Sequence, residues 1–209
     1  MFSLQTIFGK GDKFYGLLEA SADAARASAA ALVHMFQARP LAPSLDEFQL
    51  ARMREKDLAA QISQELVNTF VTALDREDIE ALSAALNKIT KTTSKFAERY
   101  ALAADRLGDI DFQSRAVLLE RATEVIAQMV AQLRKGMNLE VMKGLNDRLQ
   151  AIENEADRLL LELYRDLYSG RHDPIRILLL KDLFELLEKA IDRCRDAGNV
   201  VYHIVLKHS

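Results

Sequence analysis

The residues best suited to chemistry in this chain are carboxylates. Glu185, Glu188, Asp192, Asp196, Asn199 and His203 recur at spacings of three or four. At about 100° per residue that places them along one face of a helix. The opposite face is an apolar stripe of Leu183, Leu186, Leu187, Ala190, Cys194, Ala197, Val201, Ile204 and Val205. Carboxylates in line repel one another, each i,i+4 pair costing roughly 0.2–0.5 kcal/mol. A solvated helix usually interleaves Lys and Arg on such a face, but here Lys189, Arg193 and Arg195 sit to the sides. Upstream, Glu153 and Asp157 stand one turn apart, flanking Leu149, Ile152, Ala156, Leu160 and Leu163. Two such acidic pairs on sequential antiparallel helices can face one another. The bland reading is a solvent-facing acidic stripe. The chemical reading is a site for a hard divalent or ferric ion, because such ions attract clustered carboxylate oxygens.

Other reactive side chains offer less. His34, His172 and His208 have no ligand partners at useful spacing. Cys194 falls on the apolar stripe and reads as a small core residue. No Glu-x-x-His pair, Gly-rich phosphate loop or zinc-finger spacing occurs in the sequence, which argues against a ferritin-like di-iron enzyme, a nucleotide site and a zinc module. Gly144 and Gly198 fall inside helical segments, where each costs about 1 kcal/mol relative to Ala. Close packing is the favoured reason for both.

The elements that must position the carboxylates are helices. Low counts of Gly and Pro, 8 and 3 in 209 residues, leave few punctuation points. Six segments carry helical periodicity between stop and start signals. Asp12 is read as the cap of a first helix, rich in small residues, that runs to about Gln37 and closes at Pro40. Ser44 and Glu47 have capping-box spacing for a second, ending near Leu74. Asp75 caps a third that stops at Gly108, and Asp111 opens a fourth that closes at Lys135-Gly136. Asn138 caps a fifth that ends at Ser169-Gly170. Asp173-Pro174 opens the sixth with a capping residue and Pro at the first helical position.

The halves repeat each other. Leu17-Leu18-Glu19 matches Leu118-Leu119-Glu120, Asp57 matches Asp157, and Leu82 with Leu86 match Leu183 with Leu187, all in order and at one spacing to within a residue. The expectation is an all-α chain of six long antiparallel helices, a single domain over 1–209 with repeat halves 12–108 and 111–207. A formal charge of −3 gives no basic field for nucleic acid or an anionic membrane. The single cysteine fits a reducing compartment. Gly9-Lys10-Gly11 interrupts any signal-peptide core, and no apolar run approaches the roughly 20 residues that span a bilayer. A cytoplasmic location without direct membrane insertion is therefore expected.

Several segments resemble a known family. Asp173-Pro174-Ile175, the run from Lys181 to Cys194, Ala197-Gly198-Asn199-Val200-Val201 and Ile204-Val205-Leu206-Lys207 are similar to the C-terminal signature of the PhoU-like Pit-accessory proteins. Phe70 with Leu74-Asp75-Arg76-Glu77-Asp78-Ile79 resembles that family's joint between helices two and three. The opening from Phe14 to Glu19 agrees. The resemblance implies two three-helix bundles, each able to carry a Glu/Asp-x-x-x-Asp metal motif on two helices. It further implies a regulatory or accessory role, without established catalysis, beside an inorganic phosphate transporter, commonly of the Pit type. A signalling protein is the other partner it allows, and a homodimer is expected.

Carried over by position, the second-half motifs are intact in Glu153 with Asp157 and Glu188 with Asp192. In the first half Met53 replaces a carboxylate before Asp57, and Asn87 and Lys91 take the two acidic positions. Metal is therefore expected only in the second half, with Asp196 and His203 as neighbours, while Lys91 pairs with Asp57 in its place. The competing reading, from another class, is a carboxylate-bridged metal enzyme, either a phosphohydrolase or an oxidase. The missing histidine ligands favour the regulator.

Overall fold

The structure, a computed structural model, describes residues 4–38, 43–107 and 110–208. Six helices follow in order: α1 (Leu4–Ala38), α2 (Asp46–Asn68), α3 (Arg76–Leu107), α4 (Gln113–Arg134), α5 (Leu139–Leu167) and α6 (Pro174–Lys207). Among the described residues there is no strand.

The ends of α5 and α6 follow the sequence signals closely. Gly136 takes φ +110° and Gly170 φ +80°, left-handed conformations that glycine adopts without steric cost. The Asn138 side chain accepts from the Val141 amide at 3.0 Å. Asp173 accepts from the amides of Ile175 and Arg176 at 2.9 and 3.2 Å, with Pro174 as the first helical residue.

Three other termini differ from expectation. Helix α1 begins at Leu4, so Asp12 lies inside it rather than at its cap. The Ser44 hydroxyl accepts from Asp46, only two residues on, at 3.2 Å, and Leu45 occupies the cap with no side-chain bond. The expected capping box with Glu47 therefore does not form, and Glu47 instead sits in the acidic first turn favoured by the helix dipole. Helix α2 stops at Asn68, well before Leu74, because the Arg76 guanidinium donates to the carbonyls of Leu66 and Thr69. Those carbonyls would otherwise be orphaned at the helix end. Pro40 and Gly108, read as helix stops, lie outside the described residues.

Helices α1, α3, α6 and α4 pack as a closed ring, each against the next. Helix α2 lies over the α1–α3 edge and α5 over the α4–α6 edge. Ion pairs fix the directions. Arg134 meets Glu19 at 2.9 Å and Arg26 meets Glu124 at 3.1 Å, so α1 and α4 run antiparallel. Arg99 meets Asp182 at one end of the α3–α6 pair, and Lys207 meets Asp78 at 2.8 Å at the other. The small residues Ala22, Ala24, Ala25 and Ala29 are buried on α1, where they let three neighbouring helices approach. An aromatic cluster closes one end of the ring. Phe112 stacks on Phe184 at 4.4 Å and on Phe36 at 5.7 Å, with Phe96 and Tyr100 edge-on.

One buried group went unnoticed in the sequence. Glu55 of α2 is 0% exposed, and neither of its carboxyl oxygens has a hydrogen-bond partner. Burial pushes its pKa up to about 7, against the opposing influence of the Ser21 hydroxyl and the charges of Arg52 and Arg54. An acid whose folded pKa is raised contributes stability below its unfolded pKa, and that contribution is lost as pH rises through the folded value. The free-energy gap between Glu55→Gln and wild type should therefore shift in the variant's favour by about 2–3 kcal/mol from pH 5 to pH 8. Urea unfolding at both pH values measures it, and a constant gap would show that Glu55 does not titrate on unfolding.

Candidate functional site

The α5–α6 pair positions the carboxylates by burying what lies between them. On α5, Leu149, Ile152 and Ala156 face inward; on α6, Leu187, Ala190, Cys194, Ala197 and Val201 do the same. Gly198 is buried at this contact. A Cβ placed there would stand 2.4 Å from Leu149 Cδ2, so any other residue would require the Leu149 side chain to shift. At Gly144 the same test meets nothing within 4 Å, and the packing reason expected for that glycine is absent.

Along the solvent edge of this contact runs a groove of about 640 Å³. Glu153 lines it from α5, while Glu185, Glu188, Asp192 and Asp196 line it from α6. Asp157 does not line the groove, yet its charge acts on Glu153, Glu188 and Asp192. The four acidic residues singled out in the sequence therefore share one electrostatic neighbourhood. Glu188 and Asp192 are partly covered, so the α6 face is not the uniformly solvated stripe of the bland reading. His203 is exposed and lies apart from the groove lining.

Lys189, Arg193 and Arg195 line the same groove, where Arg193 pairs with Asp196 at 2.7 Å, so acidic residues outnumber basic ones five to three. Burial raises the Glu188 pKa to about 7, helped by Asp192 one turn on, then Asp157 and Glu185. Asp192 is also raised, chiefly by burial, with Asp157 and Asp196 adding and the Glu188 hydrogen bond and the Arg193 charge opposing. Glu153 is raised by burial, against the pull of Arg195. Its buried Oε2 has no hydrogen-bond partner, although Arg195 Nε lies 3.4 Å away. Glu185 is different. Lys181 at 2.5 Å and the donating Tyr164 hydroxyl hold its pKa down.

Sequence reasoning missed Arg195, which was placed beside the acidic face. Its guanidinium crosses to α5 and donates to Asn146 Oδ1 at 2.6 Å and Gln150 Oε1 at 2.8 Å. The signal was two amide acceptors one turn apart, just ahead of Glu153. Tyr164 was missed as well.

Glu188, Asp192, Glu153 and Asp157 form a hard-oxygen set of the kind that suits a hard cation. Among the described residues, no three carboxylate, imidazole or thiol groups stand close enough together to hold a metal ion as placed.

The first half has no comparable arrangement at the matching positions. Met53, Asp57 and Lys91 are exposed, and no ion pair joins Lys91 to Asp57. Asn87 Oδ1 instead accepts from Arg52 at 3.0 Å. An exposed Lys–Asp pair is worth about 1 kcal/mol or less, too little to hold two long side chains in place. Cys194 is buried, with its thiol pushed up by burial, and it donates to the Ala190 carbonyl at 3.4 Å as a core residue does.

Because burial ranks ahead of Asp192 among the causes at Glu188, Asp192→Asn should lower the Glu188 midpoint while leaving it above the ordinary glutamate range. A carbon-13 NMR titration of the Glu188 carboxyl reads this directly. A midpoint that stays at about 7 would remove Asp192 from the account.

No family model matches the chain. It is 22% identical over 201 residues to a protein of Rhizobium meliloti named "Putative pit accessory protein", an alignment spanning 94% of each chain. It is 24% identical over 148 residues to the UPF0111 protein YkaA of Bacillus subtilis, covering 70% of this chain and 71% of that one. Its fold matches the crystal structure of a PhoU-like protein from Shewanella oneidensis with a TM-score of 0.79, at 17% identity, over 93% of this chain and 99% of the other. The fold is PhoU-like, and over 94% of its length the chain resembles the PhoU-like Pit-accessory family.

Proposed function

We propose that this chain is a regulatory or accessory protein of inorganic phosphate transport. It acts by binding a transporter of the Pit type, or a signalling protein that reports to one. The observation that carries this reading is the alignment across 94% of both chains with the Rhizobium meliloti protein and its pit-accessory name. The described helices include none long and apolar enough to cross a membrane. Membrane association in this reading comes through the partner, at the cytoplasmic face. The names of the relatives favour a regulator over the competing reading of a carboxylate-bridged metal enzyme.

The reading includes a hard cation, divalent or ferric, held by Glu188, Asp192, Glu153 and Asp157. When bound, it would add positive charge to that already supplied by Arg195 and Arg193. Supporting this are the raised pKa values of Glu188, Asp192 and Glu153 and the buried Glu153 Oε2, which accepts no hydrogen bond. Arg195 pairs with Glu153 at 3.4 Å, while Asp192 and Asp157 add to the raised pKa of Glu188. We also read the chain as one domain, 1–209, with repeat halves 12–108 and 111–207. The like arrangement of α2 over α1–α3 and α5 over α4–α6 supports it.

One experiment joins the site to the role. Wild type, Glu188→Ala/Asp192→Ala and Asp57→Ala are purified without added metal or chelator, and each is expressed in cells carrying the phosphate permease but lacking this protein. The double variant should lose bound metal and the effect of the wild type on phosphate uptake, while Asp57→Ala keeps both. Metal retained in the double variant would remove the site. An uptake rate indifferent to the wild type would remove the role.

A further inference from the structure

The α2–α3 connection carries apolar side chains that the fold does not use. Phe70 is 98% exposed, Val67 82% and Val71 58%. Single exposed leucines are ordinary on a protein surface, but a phenylalanine wholly in water between two exposed valines marks an interaction site. The backbone beneath it is fixed. Arg76 donates to the carbonyls of Leu66 and Thr69, the Thr72 hydroxyl donates to Leu74 O at 2.6 Å, and Thr69 and Leu74 are buried on either side. Phe70 is thus held in place before any partner arrives, which lowers the entropy cost of docking.

The surrounding charge is acidic. Lys13 pairs with Glu65 at 2.5 Å, and Lys207 pairs with Asp78 at 2.8 Å and Asp75 at 3.6 Å. Arg76 is committed to carbonyls, while Glu77 and Glu80 are exposed and form no ion pair among the described residues. A second copy would set like charges against each other across a symmetric contact. An anionic lipid surface would repel the same rim. A basic partner with an apolar pocket fits, and cytoplasmic loops of membrane proteins carry an excess of Lys and Arg.

We propose that the α2–α3 tip docks the chain onto a Lys/Arg-rich cytoplasmic loop of its membrane partner, with Phe70 seated in an apolar pocket and Glu77 and Glu80 facing the basic side chains. This rests on the transport-partner reading above and adds the surface.

The test measures binding to inverted membrane vesicles from cells with and without the phosphate permease. Wild type should bind only permease vesicles, and more weakly as salt rises. Phe70→Ser should bind at least about tenfold more weakly, with its unfolding midpoint unchanged because the side chain is 98% exposed. Glu77→Lys/Glu80→Lys should also weaken binding. Leu102→Ser, at a residue 85% exposed near the opposite end of α3, should bind as wild type. Equal binding by wild type and Phe70→Ser, or equal loss in Leu102→Ser, overturns the tip and leaves the transport reading standing. Absence of permease-dependent binding by wild type overturns both. Phe70-dependent binding to protein-free anionic vesicles, or Phe70-dependent dimerisation by light scattering, assigns the tip to lipid or a second copy and overturns the proposal.

Discussion

The site depends on the close approach of α5 to α6 where Leu149 meets Gly198. Without a Cβ at Gly198 the Leu149 side chain packs directly over the α6 backbone, and Ile152 and Ala156 of α5 are buried in the same core as Leu187, Cys194 and Val201 of α6. That contact brings the Glu153–Asp157 edge of α5 to the Glu188–Asp192 edge of α6. Magnitudes show why the arrangement survives its own repulsion. Each like-charged pair one turn apart costs roughly 0.2–0.5 kcal/mol, whereas each fully buried aliphatic side chain contributes about 1.5–3 kcal/mol. The apolar contact therefore fixes the geometry, and Glu188 responds with a pKa raised to about 7.

The two halves meet electrostatic strain in different ways. In the second half, clustered acids sit at a groove edge, open to water, to Arg195 and, in the proposed role, to a cation. In the first half three of the four matching positions, Met53, Asp57 and Lys91, are exposed, and the buried acid is Glu55, sealed under α2 against α1 and α3. No external ion reaches it without opening the helices, so a proton is its available counter-charge. The α2–α3 tip lies at the end of that same α2. The functional surfaces proposed for this molecule are therefore divided between its halves, charge chemistry in one and partner docking in the other.

Much of the architecture was legible in the residues. Asp173-Pro174 and Asn138 fixed the starts of α6 and α5 because capping needs only local side-chain geometry. That Glu153 of α5 would share a groove with Glu188 and Asp192 of α6 was legible from periodicity once the two helices were antiparallel neighbours. Features that depend on reach across helices were hidden. Arg195 leaves its own helix face for α5, Arg76 ends α2 from seven residues beyond Thr69, and Arg52 takes the role expected of Lys91. Glu55 had a signal that its charged neighbours masked. Ala51, Glu55, Leu58 and Ile62 fall at helical spacing on one face, and all four are buried.

The central claim is that packing forces these carboxylates together and that a hard cation relieves the resulting strain. Unfolding free energy of the metal-stripped chain, measured at pH 8 against rising free manganese, tests this most directly, since a ligand of the folded state stabilises it by mass action. The account predicts a steady rise for wild type and a flat response for Glu188→Ala/Asp192→Ala. A flat response in wild type, or the same rise in both proteins, would contradict it.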